Sequence, residues 1–121
     1  MNKATGSRAD QVFRREGEYW TIVYGGMTVR LRDAIGLHYL ACLLARPHRC
    51  LSASSLEEFV KGRSAGDAQR ARSAVSKRIR DAVRRVELHH PTLGYHLRAG
   101  ITTGASCMYV PDPQSGHPWV T

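Results

Sequence analysis

Residues 67–90 read DAQRARSAVSKRIRDAVRRVELHH, and they contain the longest helical pattern of the chain. Asp67 can accept hydrogen bonds from the first free N–H groups of a helix, and Pro91 cannot continue one. At about 100° per residue the apolar side chains fall on one stripe. The pattern therefore predicts a long helix whose core face is formed by Val75, Ile79, Ala82, Val83 and Val86.

The opposite face of this predicted helix is basic. Asp81 is the only carboxylate near it, and like charges three or four residues apart cost an isolated helix a few tenths of a kcal/mol each. A polyanion bound along the face would relieve that repulsion. The alternative is a solvated basic face whose aliphatic stems cover the edge of the core. The face comprises Arg70, Ser73, Lys77, Arg80 and Arg84, with Arg78 and Arg85 flanking the apolar stripe.

The segments before this helix predict a hairpin and two shorter helices. From residue 12 to 32 the chain is strand-like, with Gly25-Gly26 as a two-residue turn. Asp33 is expected to cap a helix that Pro47 ends, in which Gly36 and His38 are tolerable interruptions. A second helix is expected to end near Gly62, before a loop over residues 63–66. Its N-terminus has the spacing of a capping box in two registers, Ser54 with Glu57 and Ser55 with Glu58.

The segment after the long helix predicts two short strands around a glycine turn, from Ile101 to Val110. Strands, three helices and a closing hairpin give an α+β fold. The predicted organisation is a flexible N-terminal tail over residues 1–10, one domain over 11–112 and a flexible tail over 113–121. Regular pairing toward the C-terminus is expected to be broken by Pro111, Pro113, Gly116 and Pro118.

Length and charge restrict the class of protein. With 121 residues and 42% hydrophobic side chains, the chain has enough apolar material for one core. The formal charge is +8 and 15 of the 18 basic residues are arginine. Such an excess favours polyanions, namely nucleic acid or an anionic membrane surface, although a GC-rich genome also raises the total arginine content.

Cysteine use and the polar N-terminus predict a cytoplasmic protein. The three cysteines occur singly, without a metal or disulfide spacing. Residues 1–10 hold no apolar segment of the secretory kind, and no stretch is long enough to span a membrane. His89, His90, His96 and Cys107 lack the spacing of a zinc site, so no metal is expected. Neither a paired nucleophile and base nor a phosphate-binding loop is present, so we expect no enzyme and no cofactor. We also expect neither a membrane nor a small-molecule ligand as a partner.

The order of elements resembles the winged helix-turn-helix effector domains of OmpR-like response regulators, over about residues 18–109. In that family the recognition helix reads apolar-Ser-Arg-Leu-Arg and then Arg-Lys-Leu, which Val75-Ser76-Lys77-Arg78-Ile79-Arg80-Asp81-Ala82-Val83 resembles. The family's wing approximates Ile-x-Thr-Val-Arg-Gly-x-Gly-Tyr, and residues 101–109 keep its first glycine and its tyrosine. Thr103 stands where the wing arginine is expected. The sequence is also similar to the stand-alone or C-terminal winged-helix segments of actinobacterial regulators.

The resemblance implies a sequence-specific double-stranded DNA-binding regulator with an N-terminal sheet, three helices and a C-terminal wing. Lys77 and Arg80 are expected near base edges, and Arg84 and Arg85 near phosphates. A homodimer is expected because helix-turn-helix proteins read paired half-sites. Two open alternatives are a non-specific nucleoid-type DNA binder and a protein-interaction module. RNA binding is a third, although the sequence holds no aromatic stacking pair of the usual sort. The expected contact residues are Arg70, Ser73, Lys77, Arg78, Arg80, Arg84, Arg85, Arg98, Thr102 and Thr103.

Overall fold

The chain has an α+β fold in a computed structural model that describes residues 11–62, 66–112 and 118–121. These residues contain four helices and seven strands, and the strands form two sheets. The strands are β1 (Gln11–Glu16), β2 (Tyr19–Tyr24), β3 (Met27–Arg32), β4 (Leu51–Ser52), β5 (Ile101–Thr102), β6 (Ser106–Tyr109) and β7 (Trp119–Val120). The helices are α1 (Ile35–Leu44), α2 (Ala53–Lys61), α3 (Ala68–His89) and α4 (Pro91–Gly100).

The first sheet has the strand order β3-β2-β1-β7. The predicted hairpin is confirmed as β2 and β3, which pair in antiparallel register with Tyr24 opposite Met27. Gly25 and Gly26 form its turn at φ values of 59° and 81°, which favour glycine. At the other edge, β7 pairs in parallel with β1, and Trp119 is buried against the ring of Phe13.

Strand β7 corrects the predicted C-terminal tail. Residues 118–121 return to the first sheet, where Trp119 lies opposite Gln11 and its ring stacks on that of Tyr24. Pro118 does not prevent this pairing because it lies immediately before the strand, where a missing N–H costs no hydrogen bond of the ladder. The predicted N-terminal tail over residues 1–10 lies outside the described residues, as do residues 113–117.

The second sheet has the order β4-β6-β5 and is antiparallel throughout. Strands β5 and β6 confirm the predicted C-terminal strand pair, with Gly104 in the turn at a φ of 139°. Strand β4 lies between α1 and α2, and it pairs with β6 through Leu51 opposite Cys107. The sequence did not indicate β4, since two residues are too short to show a strand period.

Two of the three predicted helix caps need correction. Ala34 is the N-cap residue of α1 and makes no side-chain cap, whereas Asp33 accepts a hydrogen bond from Nε1 of Trp20 at 2.7 Å. Asp33 thus joins the hairpin to the start of α1. Helix α2 is capped by Ser52, whose Oγ accepts from the N–H of Ser55, and neither predicted capping box forms.

Asp67 caps α3 as predicted, because its carboxylate accepts from the N–H groups of Gln69 and Arg70. Gly62 ends α2 in the left-handed conformation, also as predicted. The loop predicted over residues 63–66 lies largely outside the described residues, which resume at Gly66.

The core lies around α3. All five residues of the predicted apolar stripe are buried, and α3 packs against α1, α2 and α4. Gly36 of α1 makes the closest approach: a Cβ at this position would lie 2.2 Å from the carbonyl oxygen of Arg78. Gly36 is therefore a requirement of the crossing between α1 and α3, and its interpretation as a tolerable interruption was wrong.

Helix α4 is the main feature that the sequence did not predict. His90 ends α3 and also caps α4, with Nδ1 accepting from the N–H of Leu93 at 3.2 Å. Pro91 occupies the first position of α4, where its missing N–H has no partner to lose. The proline that ends one helix therefore begins the next. None of the described helices carries an apolar stretch that could cross a bilayer.

Candidate nucleic-acid interface

The exposed face of α3 carries the charge that the sequence predicted. Arg70, Lys77, Arg80 and Arg84 are all exposed, while the apolar stripe on the other side of the helix is buried. The side chains of Lys77 and Arg84 are 71% and 70% exposed. Ser73 is exposed on the same face. The exposed side of α3 from Arg70 to Arg84 is therefore basic, and we call it the basic face.

Asp81 neutralises only part of the basic face. Its carboxylate binds the ammonium of Lys77 at 3.0 Å and the guanidinium of Arg84 at 3.3 Å. The hydrogen bond from Lys77 and the surrounding positive charges hold the pKa of Asp81 below its usual value. Among the described residues, Arg70 and Arg80 form no salt bridge, so the face keeps a clear positive excess that solvent screens.

A groove runs along one flank of the basic face, between α3, α4 and the start of the β5–β6 hairpin. Its volume is about 450 Å³. Arg80 and Arg84 of α3, Arg98 of α4 and Thr103 of the hairpin turn all border it. Four of the ten predicted contact residues, taken from three separate elements, therefore meet at one place. We call this feature the α3–α4 groove.

The other flank of the basic face belongs to the first sheet. Nη2 of Arg85 donates a hydrogen bond to the carbonyl of Arg32 at 3.0 Å, which ties α3 to the end of β3. Arg78 is exposed beside it, next to the close approach of Gly36. Arg78 and Arg85 are therefore separated from the α3–α4 groove by the width of the helix, and Arg85 already has a structural partner.

Thr102 is the remaining predicted residue. It is exposed on β5, opposite Met108 of β6. Its neighbour Ile101 turns into the α3–α4 groove, so the two residues face opposite sides of the strand. Thr102 lies near the groove without lining it.

The sequence did not indicate two features of this region. Glu87 of α3 binds the guanidinium of Arg98, which holds that side chain beside the groove. The groove floor is apolar and consists of Ile79, Val83, Leu97 and Ile101. Both features depend on α4, and only the spacing of Leu93 and Leu97 after a Pro at a helix start could have indicated that helix.

A second cluster of polar and aromatic groups lies under β7 and is structural. Nε1 of Trp119 donates to the hydroxyl of Tyr109 at 3.1 Å, and that hydroxyl lies 2.7 Å from Nε2 of His96. Burial lowers the pKa of His96 and raises that of Tyr109. Over residues 11–62, 66–112 and 118–121, no three His, Cys, Asp or Glu side chains are grouped closely enough to hold a metal ion.

Comparison of the chain with protein-family models, with curated proteins and with solved structures found no match.

Proposed function

We propose that the chain is a sequence-specific double-stranded DNA-binding regulator of the winged helix-turn-helix type, with α3 as the recognition helix. The observation that carries the proposal is the basic face of α3. It is exposed, its cations extend from Arg70 to Arg84 along the helix, and a single carboxylate, Asp81, pairs two of them. A straight helix fits the major groove of B-DNA, which is about 12 Å wide.

The order of elements supports this proposal. Helices α1, α2 and α3 follow an N-terminal sheet, and the β5–β6 hairpin then pairs with β4, the short strand between α1 and α2. A winged helix has the same sequence of sheet, three helices and hairpin. The chain departs from it by the insertion of α4 between α3 and the hairpin. The hairpin turn nevertheless borders the basic face, through Thr103.

Different parts of the basic face have different proposed roles. Lys77 and Arg80 lie near the middle of the helix, where side chains come closest to base edges, and arginine can bind guanine with two hydrogen bonds. Arg84, Arg98 and Thr102 lie toward the groove and hairpin, where phosphates are the expected partners. Arg85 is the weakest member of the proposed set, because the Arg32 carbonyl already occupies it.

Fluorescence anisotropy on a labelled duplex, selected from a random pool, tests the proposal. We expect binding that weakens steeply with salt, with a slope of log K against log salt near −0.9 per phosphate contacted. Sedimentation of the same complex tests the proposed homodimer on paired half-sites. The absence of binding to any duplex at low salt would reject DNA binding. Salt-insensitive binding to a protein would favour an interaction module.

Two matched variants separate sequence reading from general attraction. Arg80→Ala removes a charge from the basic face, whereas Arg30→Ala removes one from the outer side of the first sheet, where Arg30 lies over the Tyr19 ring. Arg80→Ala should cost about 1–3 kcal/mol on the preferred site and relax sequence preference. Arg30→Ala should leave both quantities unchanged. An equal proportional loss on preferred and random duplexes for Arg80→Ala would instead support a non-specific, nucleoid-type binder.

A further inference from the structure

The α3–α4 groove combines two kinds of surface that a phosphate backbone alone does not need. Its apolar surface comes from Ile101, which is partly buried, and from Val83, which is 8% exposed, whereas Ile79 and Leu97 also line the groove but are almost completely buried. Clefts of about 300–1,000 Å³ with apolar walls and a few placed polar groups are typical of small-molecule sites. The volume of this groove, about 450 Å³, lies within that range.

The rim of the groove carries positive charge from two helices. Arg80 and Arg84 come from α3 and Arg98 comes from α4, so three arginines from two helices border the groove. Arg84 and Arg98 each have one carboxylate partner, Asp81 and Glu87, and all of these side chains are partly exposed. Exposed pairs of this kind contribute little to stability, so a bound anion can replace them at little cost. A guanidinium group binds carboxylate or phosphate oxygens in pairs.

From this combination we infer that the α3–α4 groove binds a small amphipathic anion, a molecule with one acidic group and an apolar body. The apolar body would lie against Val83 and Ile101, the lining residues that keep apolar surface open to the groove. The acidic group would lie against the guanidinium rim, and the hydroxyl of Thr103 offers a further hydrogen bond at the hairpin end. Charge complementarity fixes the orientation, since only one end of such a ligand is anionic.

Ligand binding in the groove should also compete with DNA binding. This competition rests on the proposed function, whereas the ligand site itself does not. Arg80 and Arg84 belong both to the groove rim and to the basic face that we propose for DNA. A ligand that engages these two guanidinium groups removes them from a duplex. Ligand and duplex should therefore weaken each other's binding by the same factor, as linkage requires.

Titration calorimetry with octanoate tests the binding site without any DNA. Octanol, which keeps the tail and lacks the charge, and acetate, which keeps the charge and lacks the tail, are the two controls. We expect octanoate to bind and both controls to bind at least about tenfold more weakly, the value of one hydrogen bond to a charged group. Equal binding of octanoate and octanol, equal binding of octanoate and acetate, or no binding of octanoate would each overturn the inference.

A pair of charge-removing variants locates the site. Arg98→Ala removes a rim guanidinium whose side chain is 63% exposed, so the core is unchanged. It should weaken octanoate binding about tenfold, whereas Arg30→Ala on the first sheet should change it less than about twofold. NMR shift mapping on the unaltered protein keeps the test valid if Arg98→Ala fails to fold. Shifts should centre on Leu97, Ile101 and Thr103, and shifts centred elsewhere would overturn the inference.

A duplex competition experiment distinguishes the failure of this inference from the failure of the proposed function. Duplex affinity is measured with octanoate or with acetate at equal ionic strength, and octanoate is expected to lower it more. A protein that binds octanoate and no duplex contradicts only the proposed function. A protein that binds a duplex and no octanoate contradicts only the inference, as does simultaneous binding of both without mutual weakening.

Discussion

Helices α3 and α4 are neighbours in the chain and in space, yet they are stabilised in different ways. Helix α3 buries seven of its 22 residues along one stripe, so its position depends on many side chains. Helix α4 has ten residues and buries Leu93, Gly94 and Leu97. A Cβ added to Gly94 would lie 2.5 Å from Cβ of Glu87, so the two helices are in near-backbone contact at that point.

The two helices should therefore be sensitive to different substitutions. The regular spacing of its apolar residues allows α3 to be predicted from the sequence. Each buried residue of the stripe is expected to contribute substantially to the free energy of unfolding. Helix α4 depends on a few specific contacts: the Gly94 approach, the His90 cap and the two leucines. Four predictions test this contrast, in order of decreasing effect.

Ile79→Ala is expected to have the largest effect. Ile79 is 1% exposed in the middle of the α3 stripe, and it also forms part of the groove floor. A buried Ile→Ala change costs about 2–5 kcal/mol because it removes apolar contacts and leaves a cavity. The free energy of unfolding measured in urea gives the value. Arg80→Ala, the next residue on the exposed face, is the control and should shift it by less than about 0.5 kcal/mol.

Gly94→Ala tests the close approach of α4 to α3. At an open helical position this change stabilises by up to about 1 kcal/mol, because alanine has the higher helix propensity. At Gly94 the new methyl group meets Glu87, and we expect a loss of about 1–3 kcal/mol. The sign of the change in melting temperature shows whether helix propensity or the clash with Glu87 dominates. A stabilised Gly94→Ala variant would show that α4 does not lie this close to α3.

His90 tests the cap between the two helices. Its Nδ1 accepts from Leu93 N–H, so its Nε2–H must donate to the carbonyl of Tyr24, which lies 2.8 Å away. His90→Ala should cost about 1–2 kcal/mol, the range for a lost N-cap. His90→Asn restores a capping acceptor without the longer reach to Tyr24, and it should recover part of that loss. Equal destabilisation by both variants would assign the effect to the Tyr24 contact.

The smallest effect expected is a pH dependence from His96. Burial lowers the pKa of His96 in the folded protein, with partial compensation from the charge of Asp112. The unfolded chain therefore takes up a proton first as the pH falls. Stability from this group is fully present above the unfolded pKa of about 6.5 and declines as the pH drops below it, until the folded pKa is passed. His96→Gln should reduce the dependence of the unfolding free energy on pH between the unfolded and the folded pKa. An unchanged pH profile would contradict the prediction.

The sequence predicted those parts of the fold that rest on local periodicity or local hydrogen bonds. The α3 stripe, the Asp67 cap, the Gly62 end of α2 and the Gly25-Gly26 hairpin are all of this kind. Contacts between distant residues were not predictable. The carboxylate of Asp33 binds Trp20 instead of the helix end, and β7 pairs with β1 across the whole domain.

In the candidate site, too, the features set by local periodicity were predicted and those set by long-range packing were not. The basic face follows from the helical period, so its exposed residues were identified from the sequence. The groove beside it is formed by α4, which was hidden because Pro91 indicated an end and also served as a start. The position of Arg85 on the flank of the helix was predicted from the sequence. Its hydrogen bond to Arg32 was not, because Arg32 belongs to a sheet that is distant in sequence.

The parallel pairing of β7 with β1 has a consequence for the order of folding. Gln11 and Trp119 lie at nearly opposite ends of the described chain, so their pairing closes the longest loop in the domain. Loop closure of this length is entropically costly until the intervening elements are in place, and contacts of high sequence separation slow folding. Edge strand β7 should therefore form last and open first. Its amide protons, in a two-residue strand, are expected to exchange with solvent well before those of β2 at the centre of the same sheet.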